Sequence, residues 1–535
     1  MQSFDVVVVG NGVAAQRAVI SAHDSGSSVI LLSSDGWGGV DEQEHYAGFA
    51  APIDEYDHIS HRYDTISLAS YLNDQTVVDS WLRKATNELA ILERWGMNIR
   101  RASDGSFHLS NGLGQSVARV ATSGGLTGRS IAKILDEQRL KRDILHRVDW
   151  IPLSLIHKEG AVKGIIGINS ELGALETILS KSIILAGNGY NSAWSGTGTA
   201  WGVELDLALR ADIPVRNLEQ RSYHPLFVNG TNIGLPLSLI GDGAVIRTSS
   251  GEVIEPNSTA NELAHQMIHS GQCVLDARMI DENSLTWAIA SRELLNDRFG
   301  LDLINDVIPI EPKIHLTHGG LINDQYGRVL DETWTSWFTG LYCAGDIAIS
   351  GILGKAPVEG NRLMSSIISG SVSGQHAATW SQDQGVSKAD EVESVVSKVS
   401  DEFSSWISKK PEKYHPRLTD LPFRLAKIMR DVLGEKMNKN ALVQSLKEIS
   451  SIQEALEEVV PENKSLFHNS SLRKILGWKA ASRLSERSIQ HAITRTELGE
   501  EDKPVHTWSS EKQSSSTLNL WNGPKNRWLV SYPEV

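Results

Sequence analysis

The first fifteen residues constrain this chain more than any other stretch. Four consecutive valines, Val6 to Val9, are followed at once by the run GNGVAA, which ends at Ala15. A continuous β-branched run is typical of a strand buried on both faces of a parallel sheet. In the run, Gly10 permits a tight turn, Gly12 lets the backbone approach a pyrophosphate, and Ala15 lets the next helix pack closely. The pattern predicts a strand, a turn and a helix whose N-terminus faces the phosphates of a dinucleotide.

A second apolar strand is predicted at Val29 to Leu32 and supports this interpretation. Sites of this kind that bind NAD usually carry an acidic residue at the end of that strand. Here Ser33 and Ser34 follow the strand, and Asp35 comes slightly late. The serines are able to hydrogen-bond a ribose themselves. The local pattern therefore leaves NAD and FAD open, and the alternative without a ligand is an ordinary tight turn between strand and helix.

Composition disfavours several classes of function. Lys plus Arg number 51 and Asp plus Glu number 65, a formal net charge of −14, which argues against nucleic acid and anionic membrane as partners. The two cysteines, Cys273 and Cys343, form no CxxC motif, so we expect no iron–sulfur cluster held by this chain alone. We expect a cytoplasmic protein, because few cysteines fit a reducing compartment, the first strand leaves no room for a signal peptide, and no apolar run is long enough to span a bilayer.

The length of 535 residues predicts three or four domain-sized units. A predicted strand over 182–185 leads into a second glycine turn at Ala186-Gly187. Another strand followed by a glycine turn is predicted from Gly340, whereas the inserted stretch between them has mixed patterning of apolar and polar residues. Amphipathic helices follow after about residue 386. The predicted domains are 1–221 with 319–386, an insertion at 222–318, a helical domain at 387–509 and a tail at 510–535. Within the first domain, 36–64 is predicted as loop and 74–95 as one helix.

Several motifs follow one another in a fixed order. They are YDT at 63–65, LNDQTVVDSW at 72–81, Arg119 eight residues before Thr127-Gly128, AGNGY at 186–190, NLE at 217–219 with YHP at 223–225, IPIEPKIHLTHGG at 308–320, and GLYCAGD at 340–346. In this order and spacing they resemble the flavoprotein subunit of the succinate dehydrogenase/fumarate reductase family. L-aspartate oxidase and the adenylylsulfate reductase α subunit share that scaffold. The resemblance covers nearly the whole chain and implies FAD as the cofactor.

The resemblance implies an α/β fold, with a Rossmann-like FAD-binding domain in two sequence pieces, an inserted α+β capping domain and a C-terminal helical domain. A helix that begins near Asn361 would aim its N-terminus at the flavin N1–C2=O edge. Arg362 is a candidate cation at that edge, and the alternative is an ion-paired or surface arginine. The residues implied to hold FAD are Gly10, Gly12, Val13, Ala14, Ser33, Ser34, Thr127, Gly128, Ala186, Gly187, Asp346, Asn361 and Leu363.

The chain departs from the family pattern where the family binds a dicarboxylate. The family's proton-shuttle arginine is replaced by Ile240, and in an ungapped match its second clamp arginine is replaced by Pro357. A gapped match would set Arg362 on that second arginine, and we favour the ungapped one because it keeps the spacing to Gly370. The histidine that binds FAD covalently in the family is also missing. Its position matches Gln43, with His45 two residues on, so we expect FAD to be bound non-covalently.

Three histidines and one arginine remain as candidate catalytic residues. His224 and His315 stand where the family's substrate-contacting histidines stand, and His318 replaces a methionine. With Arg362, they are the predicted catalytic set, and the three histidines are expected to form a cluster that titrates near neutral pH at the flavin. The alternative is that each histidine is a hydrogen-bonded structural residue. We predict no metal site, because two of the histidines, spaced by three, lie on a strand or loop.

The resulting hypothesis is an FAD-dependent oxidoreductase that transfers a hydride between a small organic substrate and flavin N5. Its substrate would be less charged than the family's dicarboxylate. Electrons would pass to a separate iron–sulfur partner, through which the chain would be peripheral to the inner face of a membrane. Oligomerisation is left open. One alternative is succinate/fumarate chemistry with relocated arginines, for which Arg221, Arg247 and Arg362 are candidates. Another is a flavin-binding electron-transfer or assembly subunit without its own substrate.

Overall fold

A computed structural model of the chain describes residues 1–35, 48–69, 73–256, 259–331, 336–349, 352–354, 356–410, 418–434 and 437–498, together with the backbone of 505–508 and 517–520. The helices are α1 Val13–Asp24, α2 Glu55–Leu68, α3 Gln75–Leu82, α4 Ala85–Arg94, α5 Thr127–Lys141, α6 Ser192–Ser195, α7 Val203–Arg210, α8 Ser238–Gly241, α9 Ala260–Ser270, α10 Glu282–Trp287, α11 Ile289–Phe299, α12 Asn361–Gln382, α13 Ala389–Ser408, α14 Asp420–Val432, α15 Lys439–Glu458 and α16 Ser470–Leu498.

The strands are β1 Gln2–Val9, β2 Val29–Leu32, β3 Phe49–Ala50, β4 Leu109–Ser110, β5 Val120–Ala121, β6 Leu145–Arg147, β7 Trp150–Lys158, β8 Ala161–Asn169, β9 Ala174–Leu185, β10 Val215–Arg216, β11 Arg221–Val228, β12 Val245–Thr248, β13 Val253–Ile254, β14 Cys273–Asp276, β15 Val307–Thr317, β16 Gly320–Ile322, β17 Arg328–Leu330, β18 Trp337–Cys343, β19 Ala348–Ile349, β20 Val505–Trp508 and β21 Thr517–Leu520. A short 3-10 turn at Gly345–Ile347 follows β18.

The largest sheet in the described part of the chain has eight strands, and β1 lies in its interior. β18, β9, β1, β2 and β6 run side by side in that order, and all of them are parallel. The hairpin of β7 and β8 extends the sheet with antiparallel pairing onto β9. Val6 to Val9 are at most 1% exposed, because helices cover both faces of a parallel sheet. The predicted buried strand is therefore present. We call the part of the chain that carries this sheet the base.

Helix α12 packs on α1 so closely that their backbones touch. A Cβ on Gly370 would lie 2.3 Å from the carbonyl oxygen of Ala14, and a Cβ on Gly374 would lie 2.2 Å from that of Ala18. Glycines four residues apart lie on one face of a helix, so this face of α12 has no side chains to hold α1 away. The contact brings the N-termini of both helices to the same edge of the sheet.

A second sheet, of five strands in the order β11-β15-β14-β12-β13, is built from residues 221–317. It has its own hydrophobic core, and we call this segment the cap. The cap is fastened to the base by Arg100, whose Nη1 lies 2.9 Å from both carboxylate oxygens of Asp242 and whose Nη2 lies 2.7 Å from Ser284 Oγ. The insertion at 222–318 stays a prediction as a domain boundary, and this strand set supports it.

Helix α16, the last described helix, is fastened to the base by ion pairs with buried carboxylates. Arg483 donates two hydrogen bonds, of 2.8 and 2.7 Å, to Asp206 of α7. Arg495 pairs with Glu219, with an Nε to Oε1 distance of 2.8 Å. Burial opposes ionisation of Glu219, but Arg495 and His491 outweigh it and lower its pKa to about 2. These contacts hold α16 against the segment that leads into the cap.

Two local predictions were wrong. The stretch predicted as loop contains α2 from Glu55 onward, whose N-terminus is capped by the side chain of Asp54. The helix predicted over 74–95 is two helices, although Arg83 and Lys84 between them keep right-handed helical backbone angles. The N–H of Lys84 bonds to the carbonyl oxygen of Trp81, three residues back, which interrupts the α-helical pattern. Hydrophobic periodicity does not indicate helix α2, because its buried face is mostly polar and its exposed face carries apolar side chains. Residues 36–47 and most of the predicted tail lie outside the described residues.

We expect Gly374→Val to destabilise the base by about 1–3 kcal/mol, since overpacking a close helix contact typically costs that much. Gly385→Ala is the matched control, because a Cβ there meets nothing within 4 Å. The midpoint of urea unfolding, followed by intrinsic tryptophan fluorescence, measures both variants. Equal midpoints for the two variants would show that the α1–α12 contact does not determine stability.

Candidate functional site

The ends of four adjacent parallel strands form one groove. The residues that follow β18, β9, β1 and β2 at their carboxyl ends are, in sheet order, Gly345-Asp346, Ala186-Gly187, Gly10 to Val13, and Ser33 to Asp35. In open α/β sheets, ligands bind in the crevice outside these strand ends. The four loops are far apart in the chain, and the strand order alone brings them together.

Two cavities that share Gly187 run along this groove. The first is lined by Gly12, Val13, Ala14, Ala186, Gly187, Gly345, Asp346, Arg362, Leu363 and Ser366. The second is lined by Gly10, Asn11, Ser33, Ser34, Asp35, Gly187, Asn188, Thr199, Trp201, Gly202, Val203 and Glu204. Ten of the thirteen predicted cofactor residues, Leu363 among them, therefore line one groove, together with Arg362 from α12.

The turn after β1 requires glycine at its first position. Gly10 has a φ of +139°, and a Cβ there would lie 2.1 Å from the carbonyl oxygen of Ala186. Any side chain at this position would push β1 and β9 apart at their carboxyl ends. The sequence argument for Gly10 rested on a tight turn, and the structure adds this close approach to the neighbouring strand.

Two helix N-termini meet the groove without caps of their own. Helix α1 begins after Gly12 and α12 begins after Gly360, neither has a side-chain cap, and neither carries an acidic residue in its first turn. Free N–H groups and the positive end of the helix dipole favour negative charge. A dinucleotide cofactor supplies such charge at its pyrophosphate, so the groove fits one.

The first cavity contains a buried ion pair. Arg362 Nε lies 3.0 Å from Asp346 Oδ1, and its Nη2 lies 2.5 Å from Oδ2. Both residues are less than 10% exposed. The predicted cation at the flavin edge and the predicted FAD-binding acid are thus bonded directly to each other. The pair places one positive and one negative group beside the N-terminus of α12.

The second cavity is polar and contains a residue that sequence reasoning missed. Glu204 in the first turn of α7 lies over Gly187, and burial raises its pKa to about 7. Asp35 pairs with Arg473 of α16, while Ser33 Oγ donates to the Asp35 carbonyl oxygen at 2.5 Å. An acid just after the glycines at 196–202 was the only sequence signal for Glu204, and no local signal connects Arg473 to this site.

Three predicted cofactor residues do not line these two cavities. Thr127 and Gly128 begin α5, where Thr127 Oγ1 accepts a hydrogen bond from the backbone N–H of Ser123. Asn361 is the first residue of α12, but its side chain bonds to His61 Nε2 at 2.6 Å and to Thr65 Oγ1 at 2.9 Å. Asn361 therefore anchors the helix start to α2. Its predicted role and those of Thr127 and Gly128 stay predictions.

The three candidate histidines do cluster, on β11 and β15 and just after β15. The ring centroids of His224 and His315 are 5.5 Å apart. His224 Nε2 lies 2.9 Å from the Leu235 carbonyl oxygen. His318 Nδ1 lies 2.8 Å from the Gly354 carbonyl oxygen, while its Nε2 lies 2.6 Å from Ser222 Oγ. A carbonyl only accepts, so His318 donates from Nδ1 and accepts at Nε2.

Burial keeps these histidines neutral. It lowers the pKa of His224 to about 3 and that of His318 to about 4. Burial also lowers the pKa of His315 well below its usual value, and the neighbouring His224 and His318 add to that shift. The expectation of a cluster that titrates near neutral pH is therefore wrong, because desolvation disfavours the charged imidazole. The histidines act as hydrogen-bonding groups.

The other candidate arginines lie in separate places. Arg247 is on β12 of the cap and pairs with Asp276, with Nε and Oδ2 3.2 Å apart. Arg221 is largely buried and donates to the carbonyl oxygens of Glu219 at 3.1 Å and Gly434 at 3.0 Å. Ile240, at the position of the missing shuttle arginine, packs against the cap core. Gln43 and His45, on which the non-covalent prediction rests, lie outside the described residues.

No set of three or more His, Cys, Asp or Glu side chains in the described ranges is arranged to hold a metal ion. Among the helices that the structure describes, none combines the length and apolar character that crossing a bilayer requires.

Comparison with known proteins matches this geometry. A family model described as FAD binding domain matches residues 5–363. The chain is 25% identical to the mitochondrial succinate dehydrogenase [ubiquinone] flavoprotein subunit of Oryza sativa subsp. japonica, over 88% of this chain and 80% of that protein. It is 27% identical to the L-aspartate oxidase of Mycobacterium leprae (strain TN), over 73% and 77% respectively. A solved variant of E. coli quinol fumarate reductase has the same fold, with a TM-score of 0.88, 19% identity and 97% coverage of each chain.

We expect Gly10→Ala to lower the flavin content of the purified protein at least about tenfold, because the added Cβ displaces Ala186 and widens the phosphate-binding turn. Flavin released by denaturation and counted per mole of protein gives the measurement. Gly385→Ala is the control. A Gly10→Ala protein with full flavin content would contradict the assignment of this turn.

Proposed function

Because this chain belongs to the FAD binding domain family, we propose that it transfers a hydride between a small organic substrate and flavin N5. The chain is an FAD-dependent oxidoreductase of the succinate dehydrogenase/fumarate reductase type, as the motifs predicted, and its fold class and FAD cofactor are confirmed. The observation that carries the proposal is the groove at four strand ends, which two uncapped helix N-termini meet. The identity of the substrate and the residue roles belong to the proposal.

The first turn of α1 and Gly10 would hold the pyrophosphate, and the polar second cavity would hold the adenosine. The first cavity, between Ala186 and Arg362, would hold the ribityl chain and the flavin edge. When bound, FAD supplies a two-electron acceptor at N5. The N-terminus of α12 and the guanidinium of Arg362 would stabilise the negative charge that forms at the N1–C2=O edge on reduction.

The substrate would lie between this groove and the cap, near the histidine cluster. Strand β16 connects the histidine cluster with the groove. A Cβ on Gly320, its first residue, would lie 2.1 Å from the carbonyl oxygen of Ile347, which is next to Asp346. His318 precedes Gly320 by two residues. Neutral His224 and His315 would orient the substrate by hydrogen bonds. Neither keeps a proton at neutral pH for transfer as an imidazolium.

A dicarboxylate is not the substrate that this pocket favours. Arg247 and Arg221 are bound elsewhere, and Arg362 is already bonded to Asp346. Burying a carboxylate without a cationic partner costs several kcal/mol. A pocket with Ile240 at the family's shuttle position therefore suits a substrate with less negative charge.

Electrons would leave through a separate iron–sulfur protein. The two cysteines are both buried, and no cluster ligand set exists among the described residues. The rice relative is described as a flavoprotein subunit, which supports a partner for this chain as well. We propose a cytoplasmic protein that reaches a membrane, if at all, through that partner.

Purification and anaerobic bleaching test the proposal. The protein is expected to carry a flavin spectrum that non-dicarboxylate substrates bleach. His224→Ala is expected to slow bleaching about 10²-fold, because a substrate misplaced by about 1 Å loses that much rate. His269→Ala, at the exposed end of α9, is the control. Bleaching by succinate, or reoxidation by fumarate, would instead support relocated arginines. A coloured protein that no reductant substrate bleaches would support a subunit without its own substrate.

We expect Arg362→Met to lower the two-electron midpoint potential of the bound flavin by about tens of millivolts, because the variant loses the cation that would stabilise the negative charge of the reduced ring. A 1.4 kcal/mol change corresponds to about 30 mV for a two-electron couple. Spectroelectrochemical titration measures the potential, with Arg328→Met as control, since Arg328 on β17 is paired with a different carboxylate, that of Asp324. An unchanged potential in Arg362→Met would place Arg362 away from the flavin.

A further inference from the structure

Glu204 is a buried acid whose carboxyl group lies in the cofactor groove. It is in the first turn of α7, is 9% exposed and lines the second cavity. A Cβ on Gly187 would lie 2.1 Å from Glu204 Oε2, so the glycine leaves room for this carboxyl group where it stands. Because Gly187 lines both cavities, the Glu204 carboxyl group lies where the two cavities meet.

Two charged groups that face Glu204 are bonded to each other. Asp35 lies at the end of β2 and also lines the second cavity, and Arg473 reaches it from α16. The field of Asp35 opposes ionisation of Glu204, whereas the field of Arg473 favours it. Among the described residues, Glu204 has no ion-pair partner of its own. Arg473 is therefore not available to compensate a Glu204 carboxylate.

Other charged groups around α7 are engaged elsewhere. Asp206, on the same helix, is paired with Arg483 of α16. Strand β7 contributes His157, whose ring packs on that of Phe338 with the centroids 5.6 Å apart. Strand β16 has the sequence Gly-Leu-Ile and carries no titratable side chain. An ionised Glu204 would thus be a buried charge without compensation, which is strongly unfavourable.

A second polar group of the same cavity lacks a partner. Trp201 lines the cavity and is 5% exposed, and its indole N–H has no hydrogen-bond partner among the described residues. Its ring is held by Arg473, which lies 5.6 Å from the ring centroid, and by Gly477, where a Cβ would lie 2.3 Å from the ring. Buried donors are nearly always satisfied, so this N–H favours a ligand with acceptor oxygens.

We propose that Glu204 is a cofactor-binding residue that stays a neutral carboxylic acid and donates a hydrogen bond to an oxygen of the diphosphate–ribose half of FAD. A protonated carboxyl group carries one O–H donor, whereas a carboxylate only accepts. A diphosphate is negative and rich in acceptors, so it would repel the ionised form and bind the neutral one. The inference rests on the proposed function, because that function places this half of FAD at the junction of the two cavities.

The pH dependence has a defined sign. Burial raises the pKa of Glu204 to about 7, Asp35 adds to that shift, and the backbone N–H of Glu204 and Arg473 oppose it. Below pH 7 the neutral form is already present in the free protein. Above pH 7 Glu204 has to take up a proton from the solvent when FAD binds, so the Kd for FAD is expected to rise by up to about tenfold per pH unit.

Calorimetric titration of the deflavinated full-length protein with FAD tests this, in buffers of different ionisation enthalpy that report the protons taken up. We expect about one proton per FAD at pH 8 and almost none at pH 6. Glu204→Gln keeps the shape and an N–H donor but does not titrate, so it should bind FAD with little pH dependence and lose that proton. Glu252→Gln, on an exposed cap loop, is the matched control and should behave as the unaltered protein does.

A second measurement uses the flavin-loaded protein as purified. At pH 8 its infrared spectrum is expected to contain the C=O band of a protonated carboxyl group that is absent from the spectrum of Glu204→Gln. This band separates a neutral acid at the cofactor from a merely structural glutamate, and it requires no removal of the flavin.

Three results would overturn the proposal: equal proton uptake at pH 8 in Glu204→Gln and the unaltered protein, a Kd for FAD that stays constant from pH 7 to pH 9, or no Glu204-dependent carboxyl band. If Glu204→Gln does not fold, the pH profile of the unaltered protein decides. A colourless protein that refuses FAD refutes the proposed function, whereas a protein that binds FAD without a Glu204-dependent proton refutes only the role of Glu204.

Discussion

The close contact between α1 and α12 is the constraint on which the rest of the structure depends. Gly370 and Gly374 let the backbone of α12 rest on Ala14 and Ala18 of α1. Because the helices touch without intervening side chains, both N-termini reach the carboxyl ends of the same parallel strands. Two uncapped helix N-termini therefore meet one groove. A larger residue in this face of α12 would separate these two positive helix ends.

The proposal that this pocket does not take a dianion depends on electrostatics. Among the described residues, Arg362 is bonded to Asp346, Arg100 to Asp242, and Arg119 to Asp57 and Asp64. Burial also disfavours the charged form of the histidine cluster. A carboxylate of a substrate would therefore meet cations that already have a partner.

Much of the architecture was predictable because it depends on local patterns. The valine run and its glycine turn, the strand at Val29 to Leu32, and the second turn at Ala186-Gly187 appear where the sequence places them. Helix α2 was missed because its buried face carries Asp57, His61 and Asp64, so hydrophobic periodicity gave no signal there. The histidines were expected to titrate near neutral pH because their reference pKa does, and only the burial of each ring shows otherwise.

By itself, the sequence determined that this chain folds around a buried parallel strand with a glycine turn at its end, since those features need only residues that are neighbours in the chain. Only the tertiary structure decided which charged side chains are paired with an opposite charge. Asp35 and Arg473 are 438 residues apart, Arg119 and Asp57 are 62 apart, and Asp346 and Arg362 lie on different elements. Whether a charged side chain is available to a ligand depends on burial and on the partner that folding brings to it. Neither is encoded in the spacing of a motif.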